Sequence, residues 1–165
     1  MGEILSDAEI VTLISEPKII PRGLIRTMRV TKKRKHTEFD HHVTGERGSR
    51  FILKLRQNTI DAFDFSAILL YVPAKGGHEF RLRRYNGRHG EHTNKLENQT
   101  FYEYHIHTAT QRYQECGIRE DGYAEVTDRY VDLQSATMCL LKDCGFRHPD
   151  GPISDLMEWG ITYDG

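Results

Sequence analysis

The connections between the strand-like runs of this chain are short, and that fact constrains the fold more than any other. From about residue 19 to residue 110, apolar, β-branched and aromatic runs alternate with brief turns at Gly45-Glu46-Arg47-Gly48, 58–61 and 73–77. A parallel crossover needs a dozen residues or more, so neighbouring strands here must run antiparallel. The spacing predicts strands at 24–30, 36–43, 51–56, 63–72, 79–85 and 102–108. The run 63–72 is apolar at both parities and is expected to be the most buried. Residues 87–99 read as a long polar loop, and 123–130 as irregular chain or a short edge strand.

Helices are expected at both ends. Ser6-Asp7-Ala8-Glu9 is a capping box, with Leu5 and Ile10 in staple positions and Pro17 as the stop. Leu133, Ala136, Leu140 and Leu141 mark one face of a helix over 131–144, ended by Gly145. Cys139 and Cys144 are expected in or near the core. The result is an α+β fold: one curved antiparallel sheet of about five to six strands, a meander, with an N-terminal and a C-terminal helix packed on it. The chain of 165 residues suits a single domain at 1–146, with 147–165 as a loosely docked tail.

Charge is divided along the chain. Residues 1–112 carry an excess of six positive charges and residues 113–165 an excess of seven negative ones. The densest basic stretch, 18–35, holds eight Lys and Arg and no acid. Such clusters attract phosphate backbones, which makes Arg22, Arg26, Arg29, Lys32, Lys33, Arg34, Arg83 and Arg88 candidates for nucleic-acid binding. The competing reading of 32–35 is a charged edge that resists pairing with other sheets. No run of 18 apolar residues occurs, which argues against a membrane partner. The acidic first residues do not resemble a secretory signal, and three cysteines without a C-x-x-C spacing suit a reduced cytoplasm.

Nine histidines are present, and the informative ones follow Arg84-Tyr85-Asn86: His89, His92, His105 and His107. Two residues apart on a strand, His105 and His107 share a face about 7 Å apart, together with Glu103. If 79–85 and 102–108 pair, the loop carrying His89 and His92 closes over one end, and Arg83 or Arg84 lies beside the imidazoles. Imidazoles supply an acid and a base near neutral pH, and arginine stabilises a phosphorane-like transition state. The candidate catalytic set is therefore Arg84, Tyr85, His89, His92, His105 and His107, with RNA as substrate, no cofactor and no metal. A second option places zinc or manganese on the H-x-H pair, completed by His89, His92 or Glu103, as a metal-dependent phosphodiesterase. A third is a non-catalytic inhibitor module that binds nucleic acid or protein. His36, His41 and His42 read as an exposed hairpin, His78 as a turn residue and His148 as part of the tail.

Over residues 80–110, Arg84-Tyr85-Asn86, His89, His92 and the downstream H-x-H resemble the signature of TumE-like toxins of bacterial toxin–antitoxin systems. Asn86 stands where that pattern has aspartate, and Tyr104 where it has proline. The resemblance implies a small α+β protein with a growth-inhibiting endoribonuclease activity. Arg84, His89, His105 and His107 are the matching positions, and an antitoxin is the implied protein partner.

Overall fold

Helix α1 (Asp7–Ser15) starts at the expected cap: Ser6 Oγ accepts the Glu9 N–H at 3.1 Å, and the Glu9 carboxylate accepts the Ser6 N–H at 2.9 Å. It buries Ile10 and Ile14. The computed structural model describes residues 3–25 and 31–153. After β1 (Lys18–Ile19) come β2 (Thr31–Lys32), β3 (His36–Thr44), β4 (Arg50–Asn58), β5 (Phe65–Val72) and β6 (Phe80–Asn86). A small hairpin, β7 (His92–Asn94) and β8 (Gln99–Phe101), precedes β9 (His105–Thr108). The chain continues through α2 (Gln111–Glu115), β10 (Ala124–Val126), α3 (Leu133–Asp143), β11 (Phe146–His148) and β12 (Gly151–Pro152).

The main sheet has seven strands in the order β10-β9-β6-β5-β4-β3-β2, and every neighbouring pair is antiparallel. Strand parity divides its residues between two faces. Phe51, Leu53, Leu55, Phe65, Ala67, Leu69 and Tyr85 are buried with Ile10 and Ile14 of α1 and with Leu133, Ala136, Leu140 and Leu141 of α3. Leu53 and Leu69, directly paired and fully buried, lie at the centre of this core. Truncating either to alanine costs about 2–5 kcal/mol. The opposite face carries a polar row across the strands: Arg56, Ser66, Asn86, His105 and Val126 are successive partners, as are Lys54, Ile68, Arg84, His107 and Ala124. The candidate histidines thus lie on the face away from α1 and α3.

The expected α+β class and antiparallel sheet hold, with two additions. The sheet has seven strands, because a short edge strand flanks each side of the longer ones. A second sheet of three strands, β1-β11-β12, contains a parallel pair, β1 with β11. The boundary expected at residue 147 falls inside β11, and His148, expected in a tail, is fully buried with its Nδ1 donating to the Ile20 carbonyl at 3.1 Å. Residues 22–25 form a turn rather than the start of a strand, and the rest of the expected strand at 24–30 lies outside the described residues. The stretch 87–99, expected as loop alone, contains β7 and the first residue of β8.

Lys18 heads the basic stretch in the sequence, but it is fully buried. Its Nζ lies 2.8–3.0 Å from the carbonyl oxygens of Leu13, Ile14, Glu16 and Cys144, and 4.4 Å from the centre of the Phe51 ring. One ammonium thereby serves the carbonyl-rich ends of α1 and α3 together.

Candidate metal centre

β9 places His105 and His107 on the polar face, and the β7–β8 hairpin lays His92 against them. The ring centres are 5.2 Å apart for His92 and His105, 4.6 Å for His92 and His107, and 4.9 Å for His105 and His107. One ring nitrogen from each lies within 4.8 Å of the other two. Among the described residues, no carboxylate or thiol joins the group. Phe101 packs on the outer side, its ring centre 5.3 Å from His92 and 5.4 Å from His105.

The second nitrogen of every ring has a partner. His107 Nδ1 donates to the Asp121 carbonyl at 2.7 Å, and His105 Nδ1 to the Glu103 carbonyl at 2.8 Å. A carbonyl carries no proton, so in both rings Nδ1 holds the hydrogen and Nε2 presents a lone pair. His92 Nε2 lies 2.8 Å from Asn94 Oδ1. That amide is oriented by β10, because Asn94 Nδ2 donates to the Ala124 carbonyl and Oδ1 accepts the Ala124 N–H. Oδ1 is therefore an acceptor, His92 carries its hydrogen on Nε2, and its Nδ1 is free. Three lone pairs backed by hydrogen-bonded partners are the arrangement of a transition-metal site with its supporting shell.

The electrostatics favour neutral rings. Burial, reinforced by Arg84, His105 and His92, holds His107 far below the ordinary imidazole range. Burial also lowers His105, with His92 and Arg84 adding to the effect and the bond to the Glu103 carbonyl opposing it. Neutral imidazole is the form that binds metal. Arg84, the register partner of His107, is neutralised by fully buried Asp121, with its Nε 3.0 Å from Oδ2. Asp121 thus fixes His107 through its main chain and Arg84 through its side chain.

The other sequence candidates are dispersed. His89 does not join the three rings; it is 74% exposed and sits 3.3 Å from the carboxylate of buried Asp64. Tyr85 is fully buried in the core on the opposite face, where its OH donates to Asp143 at 2.7 Å and accepts from Arg83 at 3.0 Å. Arg88 is exposed and packs over Phe63 and Tyr104 at 5.1 and 5.4 Å. Arg83 pairs with Asp143, Arg22 with Asp150 and Lys33 with Glu38. Lys32 and Arg34 are exposed at the β2–β3 hairpin, and Arg26 and Arg29 lie outside the described residues. The sheet order puts that hairpin five strand spacings, about 24 Å, from β9.

Sequence reasoning missed Asn94, Phe101 and Asp121, which lie in stretches with no periodic pattern. Glycine at 87 is required by close packing, since a Cβ there would lie 2.0 Å from the Phe63 carbonyl oxygen. A groove of about 610 Å³ runs between β8 and β10, lined by Gln99, Thr100, Phe101, Tyr123, Ala124 and Val126. It lies beside the centre, because Ala124 and Val126 are the register partners of His107 and His105. No helix among the described residues is long and apolar enough to cross a membrane. No protein-family model matches the chain, and no curated protein or solved structure matches it significantly.

Proposed function

We propose that this protein is a metal-dependent phosphodiesterase acting on RNA, with a zinc-class divalent ion held by His92, His105 and His107. One observation carries the reading: one ring nitrogen each of His92, His105 and His107 lies within 4.8 Å of the other two, and every ring is oriented by a hydrogen bond from one of its nitrogens. A divalent ion in such a site polarises a phosphoryl oxygen and activates water. Arg84, the register partner of His107, has its charge balanced by Asp121 and orders the site beside the rings. His89 is exposed, 3.3 Å from the Asp64 carboxylate, and outside the group of three rings. The geometry favours this over metal-free catalysis by His105 and His107, because burial leaves neither ring protonated at neutral pH to serve as the acid. The resemblance to TumE-like toxins makes RNA the substrate of choice and adds a growth-inhibiting role with an antitoxin partner.

The test is cleavage of a mixed-sequence RNA by pure protein, alone, in excess EDTA, and after return of zinc or manganese. The expected result is cleavage that EDTA abolishes, metal restores and His107→Ala lacks. Cleavage that persists in EDTA would support metal-free chemistry, and no cleavage under any condition would overturn the hydrolase reading.

A further inference from the structure

The β7–β8 hairpin supplies one of the three proposed ligands, yet it belongs to neither sheet described above. Two sets of polar contacts hold it. At its tip, Glu97 accepts from the Tyr113 OH at 2.6 Å and pairs with Arg112. At its base, Asn94 is 1% exposed and makes three bonds: Oδ1 accepts the Ala124 N–H at 2.9 Å and the His92 Nε2–H at 2.8 Å, and Nδ2 donates to the Ala124 carbonyl at 2.8 Å. The backbone of Ala124 fixes which atom of the amide is the acceptor. The acceptor fixes which nitrogen of His92 bears the hydrogen. His105 and His107 both hold Nδ1 in hydrogen bonds and have Nε2 left for an ion, and with Nε2 held by Asn94, His92 has Nδ1 left. A single buried amide therefore couples edge strand β10 to the ligand geometry.

On the metal-centre reading above, we infer that Asn94 is a positioning residue for the ion: it holds His92 in the Nε2–H tautomer so that Nδ1 binds, and the bound ion in turn clamps the hairpin onto the main sheet. Phe101, on the same hairpin, lines the groove between β8 and β10 and packs against His92. Occupancy of the ion and the shape of that groove are then linked. Loss of a supporting hydrogen bond to a ligating histidine typically lowers metal affinity 10–100-fold.

The experiment uses the full chain with zinc as probe and compares wild type with Asn94→Leu and Asn94→Asp. Leucine removes the acceptor; aspartate keeps an acceptor for His92 but loses the donor to the Ala124 carbonyl. Long-range proton–nitrogen correlation spectra read the His92 tautomer directly. In wild type the expected result is an Nε2–H form and zinc-dependent protection of amides 92–101 against hydrogen exchange by more than tenfold. Asn94→Leu should lose 10–100-fold in zinc affinity and mix tautomers, while Asn94→Asp keeps the tautomer and binds zinc at least as well as wild type. Equal zinc affinity in all three proteins, equal loss in both variants, or no zinc effect on exchange in wild type would overturn the inference while leaving the centre standing. Failure of wild type itself to bind zinc would overturn the metal-centre reading beneath it.

Discussion

Acidification of the metal-free protein should cost stability progressively below about pH 6.5. His105 and His107 are buried, and both lie below the ordinary imidazole value. In the unfolded chain they take up protons near pH 6.5, while the folded state resists doing so. Where the unfolded state binds more protons, stability falls as pH falls. The contribution of these two groups is therefore complete above about pH 6.5 and is lost progressively below it. A histidine that stays neutral while its unfolded counterpart titrates costs about 1 kcal/mol between pH 6.5 and 5.5; His107, held far below the ordinary range, contributes this in full and His105 adds a further part. His41, lowered by its own partial burial and by neighbouring His42, adds a smaller share because it is only partly buried. Urea unfolding in EDTA at pH 7.0, 6.5, 6.0 and 5.5 measures the slope. His107→Gln should remove the larger share of it. A flat profile over this range, or stability that rises on acidification, would refute the claim that the two rings are held neutral by the fold.

Three further outcomes follow from packing and hydrogen bonding. Lys18→Met should destabilise the protein by about 3–5 kcal/mol in chemical denaturation, because four carbonyls at the ends of α1 and α3 lose their common donor inside the fold. Gly87→Ala should cost about 2–4 kcal/mol and weaken zinc binding, since its Cβ would overlap the Phe63 carbonyl at the start of the segment that delivers His92. Tyr85→Phe should lose about 1–2 kcal/mol of stability through its bonds to Asp143 and Arg83, yet retain zinc affinity and RNA cleavage. Cleavage abolished in a folded Tyr85→Phe protein would return Tyr85 to the site.

The parts of this structure that obey a short period were legible in the sequence. The capping box at Ser6 and Glu9 and the α3 stripe of Leu133, Ala136, Leu140 and Leu141 follow from local spacing, whereas the pairing of β6 with β9 was open in the sequence and its register comes from the fold. The same two-residue period put His105 and His107 on one face. It also separates Arg84 from Tyr85, since adjacent strand residues point to opposite faces, so one surface site could not have used both. His92 reached the other rings through a hairpin of two three-residue strands with little apolar alternation, where the polar composition hid the pairing. Lys18 read as surface charge because its acceptors come from the ends of two helices far apart in sequence, and no local pattern announces them. Asn94 and Asp121 act through bonds to main-chain atoms or to distant partners, which depend on the finished fold rather than on residue spacing.

The most direct test of the central claim is zinc titration of EDTA-stripped protein at pH 7.5, followed by elemental analysis and thermal unfolding, beside His105→Ala and His107→Ala. The three-histidine centre predicts one zinc per chain. With free zinc at about 100 times Kd it predicts a stabilisation of about 2.7 kcal/mol, or about 5–10 °C in Tm, absent from both variants. A wild-type protein that retains no metal and melts at the same temperature with and without zinc would contradict it.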